Sequence, residues 1–117
     1  MDHEPLLRDL YDAFNRRDIE RAVAAMSPDV DWPNAFEGGR VAGRDGVREY
    51  WTRQFTQIDP HVEPVGFSTD ADGRVAVEVQ QLVRTIDGEV LADRVVTHVY
   101  AFREGLVERM DVIEPED

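Results

Sequence analysis

Apolar side chains recur every three or four positions at the start of this chain and every second position near its end. The change falls near residue 60. Leu6, Leu7, Leu10, Tyr11 and Phe14 make one stripe, which predicts an amphipathic helix over 6–15, and Pro5 suits its first turn. A break at Arg16-Arg17-Asp18 leads to a second helix, Ile19 to Met26, with Asp18 as its N-cap and Ser27-Pro28 as its stop. Val30 and Trp32 alternate as in a short strand. Phe36 to Gly43 contains three glycines and reads as a loop. A third helix follows, capped by Asp45, with Val47, Tyr50, Trp51, Gln54 and Phe55 on its inner face. Asp59-Pro60 closes the helical half.

The second half alternates with period two. Val62 to Ser68, Arg74 to Ile86, Val90 to Arg103 and Leu106 to Ile113 read as strands, separated by Asp70-Ala71-Asp72-Gly73, Asp87-Gly88 and Glu104-Gly105. Helices first and a strand meander second predict an α+β fold, a cone of three helices wrapped by a strongly curved, mainly antiparallel sheet that encloses a pocket. In the third of these strands, Arg94, Val96, His98, Tyr100 and Phe102 share one parity, and the aromatic set belongs against the helices. The opposite parity, Val95, Thr97, Val99 and Ala101, is still apolar and calls for a cover, most simply a second copy of the chain. In the preceding strand, Gln80, Leu82 and Arg84 alternate with Val75, Val77, Val79, Gln81 and Val83, and alternation alone does not say which set faces the pocket.

Composition changes this picture by exclusion. Length points to one domain, no apolar run exceeds five residues, and Met1-Asp2-His3-Glu4 does not read as a signal peptide. The chain has no cysteine, which removes disulfides, thiol nucleophiles and cysteine-ligated zinc and fits a cytoplasmic location. A net charge of −12 argues against nucleic acid and against anionic membranes as partners. All 13 basic residues are arginine, so no lysine is present to form a Schiff base. Three scattered histidines make no metal-site spacing.

Four segments together resemble the nuclear-transport-factor-2-like superfamily, and within it the ketosteroid-isomerase and SnoaL-like polyketide-cyclase group. They are Tyr11-Asp12-Ala13-Phe14-Asn15-Arg16-Arg17-Asp18-Ile19, Val30-Asp31-Trp32-Pro33, Gly43-Arg44-Asp45-Gly46-Val47-Arg48-Glu49-Tyr50-Trp51, and His98 to Val107. The last is similar to the family ending His, any residue, aromatic, any, Phe, any, Asp or Asn, Gly. The resemblance implies a single SnoaL-like domain over 1–117, helices about 3–56 and sheet about 61–113, a cystatin-like α+β roll. It also implies a homodimer through the sheet, no dissociable cofactor, and a pocket for a small hydrophobic organic ligand. Residue by residue, it does not imply ketosteroid isomerisation. The isomerase base position falls on Trp32, with Asp31 one residue earlier, its oxyanion tyrosine falls on Leu10 beside Tyr11, and its protonated acid falls on His98. Asp111 lies nearest the late-strand carboxylate of the cyclases. Asp93, Arg94 and Asp111 offer the residue types of the epoxide-hydrolase branch.

The candidate chemistry rests on few residues. His98 in a pocket is an acid/base group near neutral pH, or else a hydrogen-bonded core histidine. Asp31 and Asp111 are bases if buried and surface charges if not. Arg84 and Arg94 either hold an anionic ligand group or face solvent. Trp32, Phe36, Trp51, Tyr50 and Phe55 form an aromatic lining or ordinary core, with Tyr11, Leu82 and Tyr100 beside them. The expectation is an isomerase- or cyclase-type proton transfer on a hydrophobic carbonyl compound. The alternative is a ligand-binding or dimerisation module of the same fold without catalysis.

Overall fold

A computed structural model describes residues 3–34 and 37–114. The chain runs α1 (Glu4–Asn15), α2 (Ile19–Val23), β1 (Met26–Pro33), β2 (Arg40–Ala42), α3 (Gly43–Gln54), β3 (Ile58–Thr69), β4 (Val75–Thr85), β5 (Val90–Arg103) and β6 (Leu106–Ile113). The stripe of α1 becomes buried as Leu7, Leu10, Tyr11 and Ala13. Asp18 caps α2 by accepting a hydrogen bond from the Arg21 N–H. Asp87-Gly88 turns β4 into β5, with Gly88 at φ +97°, a backbone state that glycine enters without strain.

Several local expectations are corrected. The second helix stops at Val23, and Met26 instead opens β1. Pro28 forbids helix before it, and it is tolerated in the strand because it is exposed at a register irregularity between Met26 and Asp31. The Gly-rich segment holds a short strand, β2, paired antiparallel with β1. Asp45 is not the cap of α3: the helix begins at Gly43 without a side-chain cap, and Asp45 in its first turn accepts a hydrogen bond from Arg48 at 2.5 Å. β3 begins at Ile58, before Val62, because Pro60 is acceptable on an edge strand.

The six strands form one sheet in the order β2-β1-β6-β5-β4-β3. It is mixed, because β1 runs parallel to β6 while the other pairs are antiparallel. Bulges between Pro64 and Gly66, Val83 and Arg84, and Ala101 and Phe102 bend the strands over the helices. The fold is therefore α+β, with an open curved sheet rather than a closed barrel. The inner face carries Val75, Val77 and Val79 of β4 opposite Tyr100, His98 and Val96 of β5. The Val-rich parity of β4 is thus the core parity, which alternation could not decide. At the sheet edge, Asn15 clamps the β3 backbone at Val62, donating to its carbonyl at 2.7 Å and accepting from its N–H at 3.0 Å.

Candidate functional site

The core is incomplete between the helices and the concave face of the sheet, leaving a cavity of about 690 Å³ including its open mouth. Leu10, Tyr11 and Phe14 of α1 and Tyr50, Trp51 and Gln54 of α3 form its helical wall. Trp32, His98, Tyr100, Met110 and Val112 form most of its sheet wall. Arg94 and Glu114, both well exposed and ion-paired at 2.5 Å, stand at its rim. Trp32 and Trp51 meet edge to face with ring centroids 5.7 Å apart, and Phe14 packs on Trp51 at 5.2 Å. Both tryptophans are buried and also line the cavity, so packing and lining are one role here.

Three polar groups interrupt this apolar surface in a chain. The Tyr100 hydroxyl donates to the Tyr11 hydroxyl at 2.8 Å, and Tyr11 lies 2.9 Å from His98 Nδ1. The direction follows from satisfying both hydroxyl protons. With Tyr100 donating to Tyr11, the Tyr11 proton is free for Nδ1, whereas the reverse order strands the Tyr100 proton among the described residues. Nδ1 is then the acceptor, and the ring proton sits on Nε2, which has no protein partner among the described residues. Burial holds His98 well below its usual value, to about 4, so the imidazole is neutral near pH 7. Burial likewise raises both phenols: Tyr11, further raised by the neighbouring Tyr100, and Tyr100, where the hydrogen bond to Tyr11 opposes the shift. The cavity therefore presents one neutral N–H donor backed by two un-ionised hydroxyls.

The structure brings Tyr11, Trp32, Trp51, Arg94, His98 and Tyr100 to this cavity. It does not bring Asp31, Asp111, Leu82 or Arg84 there. Asp31 is next to inward Val30 and Trp32 on β1 and so points to the outer face. Asp111 does the same between Met110 and Val112 on β6. There the two carboxylates share Arg40 and Arg109: Arg40 reaches Asp31 at 2.5 Å and Asp111 at 3.1 Å, and Arg109 reaches them at 2.8 and 2.9 Å. Arg109 holds the Asp111 carboxyl below its usual range, the opposite of a base tuned toward neutrality. Leu82 pairs with Asp93 and Arg84 with Val90, in the outward parity of β4. Asp93 accepts from Gln80 on that same face, away from Arg94. Phe36 lies outside the described residues.

Sequence reasoning did not single out Gln54, Gln81, Met110, Val112 or Glu114 as lining residues. Gln54 and Gln81 did carry a signal, since each is a polar residue that continues an otherwise apolar parity or stripe. Glu114 follows the last strand and carried none. Among the described residues no cluster of histidine and carboxylate side chains is arranged to hold a metal ion, and no helix is long and apolar enough to cross a membrane.

The chain matches the SnoaL-like domain over residues 7–110, and it belongs to that family. Its fold is the nuclear-transport-factor-2-like one shared with polyketide cyclases. Among solved structures it is similar to TerC, crystallised with polyporic acid, at 27% identity and a TM-score of 0.83, over 97% of this chain and 91% of that one. It is similar to an NTF2-like protein of unknown function from Burkholderia pseudomallei, at 26% identity and a TM-score of 0.84, over 98% of this chain and 92% of that one. SalBIII, an epoxide hydrolase/cyclase-like enzyme with a role in pyran ring formation in the polyether salinomycin, shares the fold at 20% identity and a TM-score of 0.78, over 97% and 90%. No curated protein matches.

Proposed function

We propose that this protein binds a small hydrophobic carbonyl compound in the cavity and moves a proton on it, in the manner of an isomerase or cyclase. The observation that carries the reading is the Tyr100–Tyr11–His98 chain, at 2.8 and 2.9 Å, ending on an apolar cavity. A neutral Nε2–H on a largely apolar, aromatic wall is suited to hydrogen-bond a carbonyl oxygen and to hold the negative charge that develops when an adjacent C–H is lost. Tyr11 and Tyr100 keep the tautomer fixed, so no reorganisation is needed as charge grows. In this reading His98 acts as an electrophile and proton donor rather than as the base. The cavity supplies one carboxylate among the described residues, Glu114 at the rim beside Arg94, as the group able to take up the proton. TerC, crystallised with polyporic acid, supports a small organic ligand for this fold.

A second reading is favoured by the outward placement of Asp31 and Asp111. Without a carboxylate deep in the cavity, the protein binds its ligand and does not turn it over. One experiment separates the two. Exchange of the α-protons of 2-tetralone in deuterium oxide is followed by NMR, with binding measured in parallel. The catalytic reading expects exchange above background that falls about 100-fold or more in His98→Ala and His98→Asn. Binding with no exchange establishes the second reading, and failure to bind any flat carbonyl compound removes both.

A further inference from the structure

Gln54 occupies the position on α3 where the stripe Val47, Tyr50, Trp51 continues, a place that leucine would fill. It is 8% exposed and lines the cavity. Its Nε2 donates to the Tyr50 hydroxyl at 3.0 Å. Its Oε1 is fully buried with no hydrogen-bond partner among the described residues. Exchanging the two ends of the amide does not remove the problem, because the other end is then left unpaired. Folded chains rarely keep such a group unless something else completes it.

We infer that Gln54 is a specificity residue whose Oε1 accepts a hydrogen bond from a hydroxyl or N–H of the ligand. The inference rests on the cavity being the ligand site proposed above. It extends that reading to the ligand's chemistry. His98 on β5 offers a donor and Gln54 on α3 offers an acceptor, from the sheet wall and the helical wall. The complementary molecule is flat and apolar, with a carbonyl at one edge and a hydrogen-bond donor toward the other. A site built with an unpaired polar group rejects analogues that lack the matching group far more strongly than it rejects a change in apolar size. An apolar analogue would leave Oε1 buried and unmet.

Calorimetric titration with 6-hydroxy-2-acetonaphthone and with 2-acetonaphthone tests this, in the wild type and in Gln54→Leu and Gln54→Met. The wild type is expected to bind the hydroxylated compound at least tenfold more tightly. Both variants are expected to lose that preference while still binding 2-acetonaphthone, and to melt no lower than the wild type when ligand-free. Equal binding of the two compounds by the wild type, or a preference that survives in both variants, overturns the role of Gln54 and leaves the cavity reading standing. A fall in melting temperature in both variants marks Gln54 as structural and also overturns it. Binding of neither compound to the wild type, with no other flat carbonyl compound bound, removes the cavity reading and this inference together.

Discussion

His98 is the residue on which chemistry and stability meet. Its value is about 4 in the folded chain against 6.5 for a free histidine. Below 6.5 the unfolded chain therefore takes up a proton that the native site refuses, and stability falls as pH drops from 6.5 toward 4. The loss attributable to this one ring approaches about 3 kcal/mol at pH 4. Urea denaturation of the wild type and His98→Asn at pH 7 and pH 4 isolates it: the wild type is expected to lose more stability than the variant by that amount. An equal loss in both would mean that the ring is hydrated in the native state. Tyr11→Phe removes the proton that Nδ1 accepts and leaves the buried Tyr100 hydroxyl unpaired. It is expected to slow α-proton exchange and to lower the melting temperature of the ligand-free protein, with a loss of about 1–3 kcal/mol of stability for each group left unmet. The inward placement of His98 was legible because Val96, His98 and Tyr100 share the aromatic parity of one long strand. The outward direction of Asp31 follows once Val30 and Trp32 face inward, but the network that holds the two carboxylates was not legible, because Arg40 comes from β2 and Arg109 of β6 reaches Asp31 only through the β1–β6 pairing.

Among the elements, the helical stripe of α1 and the Gly88 and Gly105 turns follow from local pattern, and the structure forms them where the pattern puts them. β2 and the parallel pairing of β1 with β6 do not. A three-residue strand has no period to read, and Asp31 meets Arg109 across a sequence gap in which nothing local marks the contact. Gly43 joins the two kinds of element. It follows directly on β2, starts α3, sits at φ +78°, and a Cβ there would lie 3.4 Å from the Pro28 carbonyl oxygen. Gly43→Ala is expected to destabilise the fold by about 1–2 kcal/mol, the cost of a left-handed backbone at a non-glycine residue. Chemical denaturation checks it, and an unchanged midpoint would show that the β2–α3 junction relaxes freely.

At the scale of the whole molecule, the outer face of the sheet carries apolar surface that none of the described residues covers. Val95 and Ile113 are 43% and 57% exposed there, beside half-buried Thr97, Val99 and Ala101. Our reading is that a second copy covers it. Sedimentation is expected to give a dimer at micromolar concentration that Val95→Glu converts to a folded monomer. A monomeric wild type would end that reading. Each copy carries a net charge of −12, so the dimer is expected to tighten as salt rises, because screening relieves repulsion between like-charged partners. The position of β6 between β1 and β5 reaches into how the chain is made. A ribosome delivers β1 and β2 early and β3 to β5 later, yet the two parts share no strand pairing until β6 emerges to join them. During synthesis the facing edges of β1 and β5 stand open together, which is the interval when a neighbouring nascent chain can pair with them and when a chaperone has most to protect.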